Sequence, residues 1–91
     1  MRKLMIVEDE WIIRKSLERI DWQSIGIEKI VSAENGRDGI QKAREKRPQV
    51  ILADINMPFV DGIQMAQEIL TFLNAQVIFL TGYNDFDYAK A

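Results

Sequence analysis

The chain has 91 residues, 47% hydrophobic and 29% charged, with a formal net charge of −2. That describes one small globular domain without the positive field of a general nucleic-acid binder. Cysteine and histidine are both absent, which excludes disulfide frameworks, thiolate metal sites and histidine-dependent acid–base or nucleophile pairs.

Taken in chain order, Leu4 to Val7 is a short apolar run that ends in Glu8, Asp9 and Glu10. It reads as a buried strand, and the acids arrive too early for a signal peptide. No apolar stretch approaches the ~20 residues of a membrane span, so the expected address is the cytoplasm. Glu10 to Ile20 predicts a helix with Ile13, Leu17 and Ile20 on its inner face,. Asp21 to Gly26 is a connection, Glu28 to Ala33 a second strand, and Asn35-Gly36 the turn that closes it,. Arg37 to Lys46 predicts a second helix with Ile40 and Ala43 inward, stopped before Pro48,. Val50 to Ala53 is a third buried strand with Asp54 at its carboxyl end. After the loop Ile55 to Asp61, Gly62 to Leu73 predicts a helix with Ile63, Ala66, Leu70 and Leu73 on one stripe. Val77 to Leu80 is a fourth strand, Thr81-Gly82 a turn, and Asn84 an N-cap for a last helix holding Phe86 and Ala89,. Trp11 and Trp22 are expected to be packing residues,.

Strands that are continuous apolar runs, alternating with helices, predict a doubly wound α/β fold with a parallel sheet covered on both faces. Ligands of such folds bind at the carboxyl ends of the strands. Three of those ends carry polar residues: Glu8, Asp9 and Glu10 on the first, Asp54 on the third, Thr81 on the fourth. Each also has a purely structural reading. Acids in a first helical turn complement the macrodipole, a strand-end aspartate caps turns, and a threonine can begin one. Their convergence at one sheet edge favours a site. Crowded carboxylates need a cation between them, and hard oxygen ligands without histidine or cysteine point to Mg²⁺.

These residues resemble the receiver domains of two-component response regulators, along the chain from Lys3 to Ala91. Ile6-Val7-Glu8-Asp9-Glu10 is similar to the family's acidic patch, and Asp54-Ile55-Asn56-Met57-Pro58 followed by Asp61-Gly62 to its phosphoacceptor loop. Leu80-Thr81-Gly82 is similar to its switch threonine, and the stretch from Gly82 to Ala91 resembles regulators with a downstream AraC-type DNA-binding domain. The resemblance implies a flavodoxin-like receiver fold with strand order 2-1-3-4. It further implies that residues 1–91 are a receiver truncated on the carboxyl side, without the fifth βα unit and its phosphate-contacting lysine. An open edge at Val77 to Leu80 is then expected to promote self-association, with a homodimer as one form of it.

By the same resemblance Asp54 is the phosphoacceptor and Thr81 contacts the phosphoryl group. Glu8, Asp9, Asp54 and the backbone carbonyl of Asn56 are the Mg²⁺ ligands, Glu8 acting through water. The implied partners are a sensor histidine kinase and an effector that binds DNA, with no nucleic-acid or membrane contact by this domain. The implied role is regulatory, not that of an enzyme, beyond assisting its own phosphoryl transfer and dephosphorylation. Glu8 stands where the family more often has aspartate. Two other classes stay open. A Mg²⁺-dependent phosphatase with an aspartate nucleophile needs an acid two residues later, where Asn56 stands; a pure interaction module needs no chemistry. A nucleotide-binding Rossmann domain lacks its glycine fingerprint after the first strand.

Overall fold

The computed structural model describes residues 1–80. Thr81, the turn it begins and the helix expected after Asn84 therefore lie outside the described residues.

β1 (Lys3–Val7), β2 (Lys29–Ala33), β3 (Val50–Asp54) and β4 (Gln76–Leu80) form one parallel sheet in the order β2-β1-β3-β4. This is the doubly wound fold expected from the sequence pattern, in the strand order that the resemblance implies. The two inner strands are the most deeply buried, as strands covered on both faces must be,. Met5, Ile6, Val7, Ile51 and Ala53 are all fully buried. Alternation along each strand divides the core in two. Met5, Val7, Ala33, Ile51 and Ala53 join Ala43, Met65, Ile69 and Leu73 in the larger cluster, and Leu4, Ile6, Leu52 and Ile27 form the smaller one.

The larger cluster is roofed by α2 (Gly36–Lys46) and α3 (Gly62–Ile69). Their close approach depends on small residues: a Cβ on Gly39 would lie 2.6 Å from the Met65 sulfur. α1 (Trp11–Glu18) lies over the smaller cluster and buries no residue of its own. Leu17 is half-buried there beside Trp22, whose indole N–H donates to the Leu17 carbonyl at 2.8 Å. A 3₁₀ turn, Trp22–Ile25, occupies the connection to β2 and ends at Gly26 with φ of 90°.

Several local expectations are corrected. Ile13 and Ile20, assigned to the inner face of the first helix, are 40% and 47% exposed; Leu17 is the apolar residue of α1 packed on the core, and the helix ends two residues early. Trp11 is not a packing residue; it is 63% exposed. Asn35 closes no strand turn but caps α2, accepting from the Asp38 N–H at 2.8 Å. The stripe of α3 is Gly62, Met65, Ala66 and Ile69, while Leu70 is half-exposed. The helix ends at Ile69, so the 3.6-residue period does not carry on to Leu73, which still reaches the core from the turn beyond,.

Candidate metal and phosphoryl site

The site is built by register. Val7 pairs with Ala53 across β1 and β3, so Glu8 and Asp54, each one residue further on, emerge side by side at the carboxyl edge. Asp9 follows Glu8 into the β1–α1 connection. Glu8, Asp9 and Asp54 each offer a carboxylate oxygen, and these atoms lie within 4.8 Å of one another. The structure thus brings together three of the four expected metal residues by their carboxylates.

Glu8 is buried, at 3% exposure, whereas Asp9 and Asp54 are partly open. Its backbone N–H continues the β1–β2 ladder by donating to the Ala33 carbonyl at 3.1 Å. Its carboxylate accepts the Glu10 N–H at 3.0 Å, and its carbonyl accepts from the Arg14 guanidinium at 2.8 Å. Burial pushes the Glu8 pKa up to about 7; the Asp54 charge and the neighbouring Asp9 add to this, and the Glu10 N–H partly offsets it. Three acids that close are electrostatically unfavourable without a counter-charge, and a small hard cation relieves that repulsion. The donor set, all oxygen, therefore fits Mg²⁺ on the chemistry of its residues.

Asp54 is held by the loop that follows it. Its Oδ1 accepts the Asn56 N–H at 3.2 Å, which fixes the first turn of that loop and leaves Asn56 exposed. Ile55 and Met57 anchor the loop in the interior. At the far end Asp61 caps α3 in a reciprocal box with Gln64,. Gly62 closes the loop by donating to the Ile55 carbonyl at 2.8 Å. A Cβ at Gly62 would sit 2.2 Å from the Asp54 carbonyl oxygen, so only glycine lets the helix start against the backbone of the aspartate. Gly36, at the start of α2, likewise packs where a Cβ would meet Val60 of the same loop at 2.6 Å.

Beside the acids lies a cleft of about 870 Å³, whose wall includes Asp9, Trp11, Arg14, Arg37 and Phe59. Nothing in the sequence pattern marks Arg14, Arg37 or Phe59 as site residues, save one signal: the pair of large apolar residues, Trp11 and Phe59, in segments that border the acidic motifs.

The sheet order and this acidic edge accord with a match to the model of the response regulator receiver domain, over residues 4–91. The chain belongs to the response-regulator receiver family. It is 33% identical over 92 residues to the uncharacterized transcriptional regulatory protein YesN of Bacillus subtilis, covering 99% of this chain and 25% of that protein. Among solved structures it is similar to a two-component transcriptional regulator AraC from Clostridium phytofermentans, with a TM-score of 0.89 and 35% identity over 99% of this chain and 71% of the other. The receiver domain of AraT, a response regulator from Geobacillus stearothermophilus, gives a TM-score of 0.90 and 34% identity, covering 98% of this chain and 70% of that one. The receiver thus spans only a quarter of the length of YesN. Among its described residues no helix is long and apolar enough to cross a membrane.

Proposed function

We propose that this receiver takes a phosphoryl group onto Asp54 from the phosphohistidine of a sensor histidine kinase and thereby controls a DNA-binding effector. The observation that carries the proposal is the convergence of Glu8, Asp9 and Asp54 at one sheet edge. Glu8, Asp9, Asp54 and the Asn56 carbonyl would hold Mg²⁺, which when bound supplies neutralising charge for the phosphoryl oxygens. The protein's own contribution is positioning. The Asn56 N–H orients the Asp54 carboxylate, and the Gly62 contact fixes the backbone that carries it,. Burial of Glu8 beside Asp54 makes its ionised form costly, a cost that a bound divalent cation would relieve,. Thr81, outside the described residues, is the proposed contact for the bound phosphoryl group and the start of its transmission.

A phosphatase of the aspartate-nucleophile class needs a general acid two residues after the nucleophile, and the amide of Asn56 cannot release a proton in that role,. The aspartyl phosphate is therefore expected to persist as a signal.

Incubation with Mg²⁺ and acetyl phosphate, followed by intact-mass measurement, tests the proposal. Wild type should gain one base-labile phosphoryl group, and Asp54→Asn none. Equal labelling of the two would remove Asp54 from the role.

A further inference from the structure

Trp11 and Phe59 are the two features of the site region that neither the fold nor the cation accounts for. Trp11 stands 63% exposed and Phe59 99% exposed, although aromatic side chains usually bury most of their area,. Phe59 also has a φ of 68°, in the left-handed region that a bulky residue seldom adopts,. Strain of that kind persists where the surroundings enforce it, and it clusters at ligand sites. Here the buried anchors Ile55 and Met57 on one side and the capped start of α3 on the other fix the loop, leaving the ring outside.

Both rings line the same cleft, and Asp9 belongs to that cleft and to the acidic trio alike, so the cleft borders the site through Asp9. A donor that reaches Asp54 from this side would rest its remaining part in the cleft. The formal charges along the cleft cancel, with Asp9 and Glu34 against Arg14 and Arg37. Net charge therefore gives little discrimination between donors, and exposed π surface is what remains to select among them.

Resting on the phosphoacceptor reading, we propose that Trp11 and Phe59 form a leaving-group subsite that receives the imidazole ring of a phosphohistidine side chain. In the transfer, an Asp54 carboxylate oxygen bonds to phosphorus as the P–N bond breaks. The bonding pair stays on the ring nitrogen, and a ring protonated at its other nitrogen departs as neutral imidazole. That ring carries positive charge before transfer, so it gains both stacking and cation–π attraction over the indole and phenyl faces. Acetate, the leaving group of acetyl phosphate, has no ring and gains neither. The two aromatics are specificity-determining residues: they set which donor is used, while the acids and Mg²⁺ serve all donors.

The test is the ratio of initial labelling rates with phosphoimidazole and with acetyl phosphate, read by intact mass in Mg²⁺. Trp11→Ala and Phe59→Ala should each lower this ratio by about fivefold, the factor expected of one such ring contact. Trp11→Phe, which keeps a ring, should hold most of it. Both residues are exposed, so the variants should fold, and unchanged thermal unfolding verifies this. A phosphohistidine peptide should show the same dependence on the two rings as phosphoimidazole; dependence with the peptide alone would overturn a subsite for the ring itself. An unchanged ratio in both alanine variants would remove the subsite and leave the phosphoacceptor reading standing. No labelling of wild type by either donor would remove both.

Discussion

The two faces of the sheet are built differently. On one, α2 and α3 press against each other and against Met5, Val7, Ile51 and Ala53, burying Ala43, Met65, Ala66 and Ile69. On the other, α1 contributes half-buried Leu17 and leaves Ile12 71% and Ile13 40% exposed. Helices of one sequence class can thus cover a sheet to very different depth. Small residues serve the firmer face: at Gly36 and Gly62 a Cβ would meet the backbone oxygens of Val60 and Asp54, and Gly39 sits against the Met65 sulfur, whereas α1 contains no glycine or alanine. The acids of the site stand at the edge between these faces, and the firm one carries the loop that orients Asp54.

The largest expected effect contrasts the faces directly. Met65→Ala should cost about 2–5 kcal/mol, since it empties a fully enclosed site between α2, α3 and the sheet,. Ile13→Ala on α1 should cost under about 1 kcal/mol, because its side chain keeps much of its contact with water,. Urea unfolding of both variants checks this, and comparable losses would show that the faces contribute alike.

Much of this architecture could be read from the amino acids, and the failures have physical causes. β1 and β3 were legible because strands buried on both faces leave uninterrupted apolar runs. The Glu8, Asp9 and Asp54 grouping was legible because parallel order puts all strand carboxyl ends at one edge. The inner stripe of α3 was misplaced because it depends on Gly62 and Met65, one counted for its absence of side chain and the other for its flexibility. The face of α1 failed for a different reason. Periodicity shows which residues could turn inward together, but not how much partner surface awaits them. The left-handed φ of Phe59 has no local signature, since only the fixed loop ends impose it.

The second prediction sharpens the contrast at the carboxyl edge, where a buried acid opposes the fold. Glu8 has its pKa raised from an ordinary 4.5 to about 7. Between those values the folded chain holds a proton that the unfolded chain has lost, so this group's contribution to stability declines as pH rises. It is complete below about 4.5 and gone above about 7. Glu8→Gln should flatten that part of the stability–pH curve, and Mg²⁺ should stabilise wild type more at pH 8 than at pH 5. Parallel curves for wild type and variant across the window would refute the assignment.

The smallest effect concerns helix ends. Asp61→Ala should cost about 1 kcal/mol, as it removes the capping box of α3,. Glu10→Ala, at the uncapped start of α1, should change stability by only a few tenths of that, because the Glu10 side chain makes no capping bond,. Thermal unfolding of the pair decides it; an equal loss in both would mean that α1 is anchored better than its geometry indicates.

The sheet order has a consequence for how the chain acquires its site. β1 comes before both of its neighbours in the chain, yet lies between them, with β2 on one side and β3 on the other. During synthesis its apolar residues must wait for partners that are made later, and β2 arrives first. A β1–β2 pair alone would carry Glu8 and Asp9 without Asp54. The acidic trio closes only when β3 docks along the remaining edge of β1, the longer-range of the two pairings,. A divalent cation that needs all three carboxylates would then engage late, after the central pairing is complete, and would slow unfolding more than it speeds folding.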